Sequence, residues 1–168
     1  DWSNNLTIYE VNLRQYTPQG TIRAFREHLP RLKSLGVGIL WFMPIQPIGT
    51  VNRKGTLGSY YSVQDYYGIN PEFGTLDEFR SLVDEIHELD MYVILDWVSN
   101  HTAWDNPMAS EHPEWYTKND EGNFQPPPGT NWDDVIDLDY SNDDLRASMT
   151  AAMEYWVREV GIDGFRCD

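Results

Sequence analysis

The chain has 168 residues, which is enough for one sizeable hydrophobic core. Its 12 Lys and Arg against 27 Asp and Glu give a formal net charge of −15, so nucleic acid and anionic membrane surfaces are not expected as partners. No apolar run is long enough to span a bilayer, and the single cysteine, Cys167, cannot form a disulfide within the chain. The localisation is left open by these features, with a secreted or periplasmic protein favoured.

The first part of the chain predicts strands alternating with helices. A run rich in β-branched and apolar residues predicts a strand over 6–13. Apolar residues at helical spacing from Ile22 to Leu35 then predict one helix, kinked at Pro30 and ended by Gly36. A second apolar run predicts a strand over 37–43, and a long irregular loop follows from about 48 to 74.

The second part repeats this alternation. Thr75 and Glu78 match a capping box at the start of a helix, and a strand is predicted over 91–96. A long loop between 100 and 140 carries several aromatic residues, and loops of that length inside compact domains are usually functional or form a small subdomain. Ser141 is predicted to cap a third helix that ends at Gly161, and a fourth strand begins at Ile162.

The order of these elements predicts an α/β fold with a parallel sheet. A doubly wound sheet is one possibility. A (β/α)₈ TIM barrel needs about 250 residues, so the chain would hold its first four β/α units. Because the last residue is the acid at the end of the fourth strand, whose edge would be exposed, we expect a partial barrel. Residues 1–168 would be its N-terminal part, with an inserted loop subdomain at about 102–140.

Chemically active side chains follow the third and fourth strands. Asp96 ends the third strand, Asn100 and His101 follow it, and Arg166 and Asp168 end the fourth. Parallel strands in α/β proteins end at one rim, where catalytic residues collect. Alternation along a strand places Arg166 and Asp168 on one face, where the guanidinium would keep the carboxylate ionised. The pattern indicates either a carboxylate-driven reaction or a structural network of ion pairs.

Four segments carry a family resemblance, in order and with compatible spacing. They are YYSVQDY (60–66) with NPEFGT (70–75), DWVSNH (96–101), VIDLD (135–139) and GFRCD (164–168). These segments resemble the motifs of the α-amylase family of retaining glycoside hydrolases, and the resemblance covers essentially the whole chain. It implies a (β/α)₈ barrel enzyme acting on α-linked glucans such as starch and maltooligosaccharides.

The resemblance also implies a role for each matching residue. Asp168 would be the nucleophile that forms a glycosyl-enzyme intermediate, and Arg166 would keep it charged and oriented. Asp96 would pair with this arginine. His101 would hydrogen-bond the hydroxymethyl group of the sugar in the −1 subsite. Tyr61 would lie under that sugar as an aromatic platform, unless it is a core tyrosine.

Asn100 and Asp137 match positions that bind calcium in many members of the family. Amide and carboxylate oxygens are the hard ligands that Ca²⁺ prefers. The alternative is ordinary hydrogen bonding within the loop. The aromatic residues after His101 are left with two interpretations as well, since they would line outer sugar subsites or form the small core of the loop subdomain.

The resemblance places two further carboxylates beyond Asp168: the acid/base on the fifth strand and an aspartate on the seventh. Retaining glycosidases need two carboxyl groups at the scissile bond. We therefore expect the chain alone to be inactive and to require the rest of the barrel. The alternatives are an α-glucan transglycosylase and a non-catalytic carbohydrate-binding or structural homologue.

Overall fold

The structure is a computed structural model that describes residues 2–168. Its strands are β1 (Thr7–Val11), β2 (Val37–Phe42), β3 (Tyr92–Trp97), β4 (His101–Ala103), β5 (Val135–Asp137) and β6 (Gly164–Cys167). Its α-helices are α1 (Leu13–Tyr16), α2 (Ile22–Arg26), α3 (Leu29–Ser34), α4 (Leu76–Glu88), α5 (Pro107–Glu111) and α6 (Asp143–Tyr155). A 3₁₀ turn covers Pro113–Trp115, and α6 continues into a π-helical turn, Trp156–Val160.

The chain forms two compact units. The first unit comprises the residues up to Ile45 together with Ile69–Trp97 and Tyr155–Arg166. The second unit comprises Gln46–Gly68, Val98–Glu154 and Cys167–Asp168. Each unit is therefore assembled from segments that are distant in the sequence.

A four-stranded sheet in the order β1-β2-β3-β6 is the centre of the first unit. The β1–β2 and β2–β3 pairs are parallel, as the alternation of strands and helices predicts. Four aromatic rings stack edge to face beside it, with centroid distances of 5.5, 5.6 and 6.2 Å between neighbours: Phe25, Phe42, Phe79 and Trp156. Such pairs add favourable energy beyond the apolar area that they bury, so this row is a major part of the core.

The register of β2 decides which side chains share a face of the sheet. Trp41 on β2 pairs with Ile94 on β3. Since side chains alternate along a strand, Asp96 lies on the same face as Ile94. The side chains of Trp41 and Asp96 are therefore on one face of neighbouring strands.

The helix ends confirm one prediction from the sequence and correct two others. The capping box is confirmed, because Thr75 Oγ1 accepts from the Glu78 amide at 3.2 Å and Glu78 Oε2 accepts from the Thr75 amide at 2.8 Å. The single helix predicted from 22 to 35 is wrong, since α2 ends at Arg26 and α3 begins at Leu29. Pro30 lies in the first turn of α3, where the amide hydrogen that it lacks has no helical partner.

The start of α6 is the second correction. Asn142, and not Ser141, caps this helix, because Asn142 Oδ1 accepts from the amides of Asp144 and Leu145 at 2.9 and 3.2 Å. The Ser141 amide instead donates to Asp139 Oδ1 at 3.0 Å. Asn and Ser are both good N-caps, so the choice between neighbours depends on the path of the loop.

The second unit contains a short antiparallel ladder that the sequence did not predict. β4 pairs with β5 through His101↔Asp137, Thr102↔Ile136 and Ala103↔Val135. The Ala103 amide donates to the Val63 carbonyl at 3.0 Å, so the segment before Gly68 joins the same unit. Within residues 2–168, no helix combines the length and apolarity needed to cross a bilayer.

Candidate active site

Two of the predicted site residues form an ion pair in the first unit. Arg166 Nη1 donates to Asp96 Oδ1 at 3.1 Å and approaches Asp96 Oδ2 at 3.4 Å. The Asp96 side chain is 0% exposed and the Arg166 side chain 38% exposed. A carboxylate removed from water in this way needs a cationic partner and further hydrogen bonds, and Arg166 supplies the cation.

Trp41 completes this group, which we call the paired cluster: Trp41, Asp96 and Arg166. The Trp41 indole Nε1–H donates to Asp96 Oδ2 at 3.1 Å. The Arg166 guanidinium carbon lies 5.0 Å from the centroid of the Trp41 ring, within the range of a cation–π contact. Sequence reasoning missed Trp41, because nothing short of the strand register reveals that it neighbours Asp96.

Three other predicted residues line one cavity in the second unit. This cavity has a volume of about 460 Å³, and we call it the open cavity. It is lined by Lys54, Ser59, Tyr61, His101, Trp132, Asp134, Val135 and Asp168. The structure thus brings Tyr61, His101 and Asp168 together around a space that is large enough for a ligand.

His101 is held in place by both ring nitrogens. Its Nε2 lies 3.1 Å from the Tyr61 carbonyl oxygen, which can only accept. Its Nδ1 lies 3.0 Å from the Asn100 amide nitrogen, which can only donate. The neutral ring with its proton on Nε2 satisfies both contacts.

Burial lowers the pKa of His101 below its ordinary value of 6.5. This effect outweighs the hydrogen bond to Tyr61 and the nearby carboxylates of Asp134, Asp168 and Asp137, which act in the opposite direction. The neutral imidazole is therefore the form that the folded protein favours.

The aromatic residues of the 100–140 segment differ in burial. Trp115 and Tyr116 are 6% and 3% exposed and belong to the core of the second unit. Trp132 is 45% exposed and lines the open cavity. Lys54 and Asp134, which form an ion pair at 3.5 Å, line it as well and were missed by sequence reasoning.

Asn100 and Asp137 lie on adjacent backbone segments, since the Leu138 amide donates to the Asn100 carbonyl at 3.2 Å. Asp137 is only 8% exposed, and its Oδ2 accepts from the Thr117 hydroxyl at 2.9 Å. No basic side chain in the described residues forms an ion pair with it, and they contain no group of three or more His, Cys, Asp or Glu placed to hold a metal ion. A buried carboxylate without a cationic partner fits an oxygen-ligand cation site, with other oxygens completing the shell.

The chain matches the family described as "Alpha amylase, catalytic domain" over residues 3–134. It is similar to the solved α-amylase of Lactobacillus plantarum, with 48% identity and a TM-score of 0.93 over 98% of this chain and 38% of that one. It is also similar to a noncanonic maltogenic α-amylase of Thermotoga neapolitana, with 44% identity and a TM-score of 0.91 over 98% of this chain and 39% of that one. Alpha-amylase 3 of Dictyoglomus thermophilum is 31% identical over 99% of this chain and 37% of its own length.

These matches confirm the predicted family and the α/β fold of a partial (β/α)₈ barrel. The chain spans less than two-fifths of the length of each of the three relatives. The α-amylase catalytic-domain family is therefore the family to which this chain belongs.

Proposed function

We propose that the protein is a retaining α-glycosidase of the α-amylase type, acting on α-linked glucans through a glycosyl-enzyme intermediate on Asp168. The observation that carries this proposal is the open cavity of about 460 Å³, which is lined by Asp168, His101 and Tyr61 together. The three relatives above are all α-amylases by name, which supports the same substrate class.

The proposed reaction has two steps. In the first, the Asp168 carboxylate attacks the anomeric carbon, the glycosidic C–O bond breaks, and the leaving oxygen takes a proton from a general acid. In the second, water gives a proton to the conjugate base of that general acid and attacks the same carbon, the ester bond to Asp168 breaks, and both the carboxylate and the acid are restored. The family resemblance assigns the general acid to the fifth strand, so the rest of the barrel is part of the proposal.

The other residues of the open cavity would hold the sugar. Tyr61 would cover the apolar face of the ring and exclude water from it. His101 would hydrogen-bond the hydroxymethyl group as a neutral imidazole. Because both of its ring nitrogens have partners, the sugar would replace one of them, and the exposed Asn100 amide is the easier to replace.

The paired cluster would act on the nucleophile through Arg166. Arg166 precedes Asp168 by two residues, and we propose that it orients the nucleophile. Asp96 and Trp41 hold the guanidinium from two directions, at 3.1 Å from Asp96 Oδ1 and 5.0 Å from the Trp41 ring centroid. A side chain held by two contacts loses little further entropy when it orients a neighbouring group.

We also propose that Asn100 and Asp137 supply two ligands of a calcium ion. The buried Asp137 carboxylate supports this, because within residues 2–168 it accepts from the neutral Thr117 hydroxyl and forms no ion pair with a basic side chain. Ca²⁺ takes about six to eight oxygens, so carbonyl and water oxygens would complete the shell. The ion would stabilise the segment at about 102–140, which we propose is an inserted subdomain.

The test uses the complete protein with starch, pullulan and small α-linked disaccharides as substrates. Asp168→Asn should lower kcat by roughly 10⁴-fold or more, because it removes the nucleophile. The matched control is Asp120→Asn, which changes an exposed acid outside the cavity and should behave as the wild type.

The products distinguish the remaining alternatives. Products longer than the substrate would identify a transglycosylase. Tight binding of maltooligosaccharides without turnover by the wild type would identify a non-catalytic binding protein. Full activity in Asp168→Asn would contradict the proposed nucleophile.

A further inference from the structure

The loop over 50–64 forms one wall of the open cavity. It contributes three of the lining residues: Lys54, Ser59 and Tyr61. The Tyr61 carbonyl oxygen lies 3.1 Å from His101 Nε2. Lys54 Nζ donates to the Asn131 carbonyl at 3.1 Å. The placement of the proposed platform, and of one partner of His101, therefore depends on how this loop is held.

A single carboxylate, that of Asp105, binds both ends of this loop. Asp105 Oδ2 accepts from the Thr50 amide at 2.9 Å and from the Thr50 hydroxyl at 2.6 Å. The same oxygen accepts from Gln64 Nε2 at 3.0 Å. Asp105 itself does not line the open cavity. We call these three residues the loop clamp: Thr50, Gln64 and Asp105.

The backbone beside the loop clamp is closely packed. A Cβ atom added at Gly49 would lie 2.4 Å from the Ala103 Cβ and 2.8 Å from Asp105 Oδ1, so a larger residue does not fit there. The Gly49 amide donates to the Ser62 carbonyl at 2.9 Å, which joins the two sides of the loop at its base. A shift of the Asp105 side chain is therefore transmitted to the base of the loop, because close-packed interiors transmit strain.

The Asp105 carboxylate is ionised in the folded protein. Burial acts to raise the pKa of Asp105, but hydrogen bonds, chiefly those from Thr50 and also that from Gln64, lower the pKa below its ordinary value of 3.8. Hydrogen bonds to an ionised acceptor are shorter and stronger than neutral ones, and the contact of 2.6 Å with the Thr50 hydroxyl is in their range. Because three donors converge on one charged oxygen, loss of the carboxylate would release both ends of the loop together.

We propose that Asp105 is a positioning residue for the glycosidase reaction, which holds the loop over 50–64 so that Tyr61 lies under the sugar at Asp168. This inference rests on the proposed function and adds to it a residue that does not touch the sugar. A loop that is already fixed loses less conformational entropy when a substrate binds. A displacement of about 1 Å in a group that holds the substrate can cost roughly 10²-fold in rate.

The test measures kcat/KM for maltohexaose in the complete protein. Asp105→Ala should lower kcat/KM by roughly 10-fold in the wild-type background, because the platform loses its fixed position. In the Tyr61→Ala background the same substitution should lower it by less than roughly 3-fold, because the platform is already absent. Asp105→Asn should recover part of the loss, since its amide oxygen can still accept from Thr50.

Asp139→Ala is the matched control. Asp139 is half-buried like Asp105, and its Oδ1 accepts from the Ser141 amide at 3.0 Å, but it does not line the open cavity. This variant should keep the wild-type kcat/KM. An unchanged kcat/KM in Asp105→Ala would overturn the proposal. So would an equal loss with and without the Tyr61 ring, because a purely structural residue acts independently of that ring.

Thr50→Val provides a second route if Asp105→Ala lowers the Tm below the assay temperature. This substitution at an exposed position removes the shortest of the three hydrogen bonds and keeps the backbone amide donor. Its loss of kcat/KM should again be smaller in the Tyr61→Ala background than in the wild type. No loss, or an equal loss in the two backgrounds, would overturn the proposal.

Failure of the proposed function gives a different result, since the wild type would then not hydrolyse maltohexaose. In that case the wild type, Asp105→Ala, Tyr61→Ala and the double variant are compared by calorimetric titration with maltohexaose. Binding that Asp105→Ala weakens only when the Tyr61 ring is present would support the positioning role without catalysis. Absence of binding to the wild type, or equal weakening with and without the ring, would overturn it.

Discussion

In the first unit, the Asp96 side chain is 0% exposed and accepts hydrogen bonds from Trp41 and Arg166. In the second unit, the Trp132 ring is 45% exposed and faces a cavity of about 460 Å³. Both regions combine acids with aromatic residues, and both contain residues that the family motifs single out. In the paired cluster the acid is buried against its protein partners, whereas the Trp132 side chain of the open cavity keeps nearly half of its surface exposed.

Because of this difference, substitutions in the paired cluster should mainly lower stability, whereas substitutions in the open cavity should mainly affect ligand binding. Removing a member of the paired cluster leaves a buried charge or acceptor with fewer partners, so the folded state loses free energy. Removing the half-exposed Trp132 side chain from the open cavity leaves no buried charge without its partner, so the folded state loses little free energy. Two strand-end acids, Asp96 and Asp168, therefore have different expected roles in spite of similar sequence contexts.

The largest effect should come from breaking the ion pair. Arg166→Met in the complete protein should reduce the free energy of unfolding by about 3 kcal/mol, the lower end of the range for a buried pair, because Arg166 is 38% exposed. Arg23→Met, at an exposed helix position, is the control and should change it by less than about 0.5 kcal/mol.

Denaturant unfolding measures both values. The double variant Asp96→Asn/Arg166→Met should be more stable than Arg166→Met, because the uncompensated carboxylate is gone. An Arg166→Met protein as stable as the wild type would show that Asp96 does not depend on this cation.

Calcium should produce the next largest effect. Asp137 resembles Asp96 in being buried, at 8% exposure, but its recorded hydrogen-bond donor is the neutral Thr117 hydroxyl. At a free Ca²⁺ concentration of 100 Kd, bound ion should add about 2.7 kcal/mol to the free energy of unfolding. A chelator should lower the Tm of the wild type and of Asp139→Asn and leave that of Asp137→Asn unchanged. A wild-type Tm that does not change when the chelator is added would contradict the proposed calcium site.

The same substitution in Trp41 of the paired cluster and in Trp132 of the open cavity compares the two regions directly. Trp41→Phe keeps an aromatic ring under Arg166 and removes the donor to Asp96, so it should cost about 1.5 kcal/mol of unfolding free energy. Trp132→Phe should cost less than about 0.5 kcal/mol, because its ring is 45% exposed. Equal costs, measured by denaturant unfolding, would erase the distinction between the two regions.

The smallest effect should be a pH dependence from His101. Its pKa is lowered in the folded protein, chiefly by burial, while the unfolded chain has a pKa of about 6.5. The contribution of the neutral His101 ring to the free energy of unfolding is therefore fully present above about pH 6.5. It is lost as the pH falls through the lowered pKa of the folded state. His101→Gln should flatten the profile of unfolding free energy between pH 7 and 5, with His28→Gln as the control. A profile that is steeper in His101→Gln than in the wild type would reverse the assigned sign.

Several features could be predicted because their causes are local in the chain. The capping box joins Thr75 and Glu78, which are three residues apart. The alternation of strands and helices depends on apolar spacing, and the family motifs lie in short continuous segments. The fold class and the family followed from such features.

Other features required contacts between distant residues. Trp41 and Asp96 are 55 residues apart, Arg166 and Asp96 are 70 apart, and Lys54 and Asn131 are 77 apart. The single helix predicted over 22–35 and the Ser141 cap were wrong for the same reason, since apolar spacing and cap preference do not show where the surrounding chain directs a turn.

The sequence by itself determined the order of elements, the family, and the residue types available at the ends of the strands. Tertiary structure alone decided the partners of Asp96, since the register of β2 against β3 places the Trp41 indole at its carboxylate. It also decided that Trp115 is buried and Trp132 is exposed, although both were aromatic residues of one loop. The physical reason is that burial and partnership depend on where segments distant in sequence pack, which the local composition of a segment does not specify.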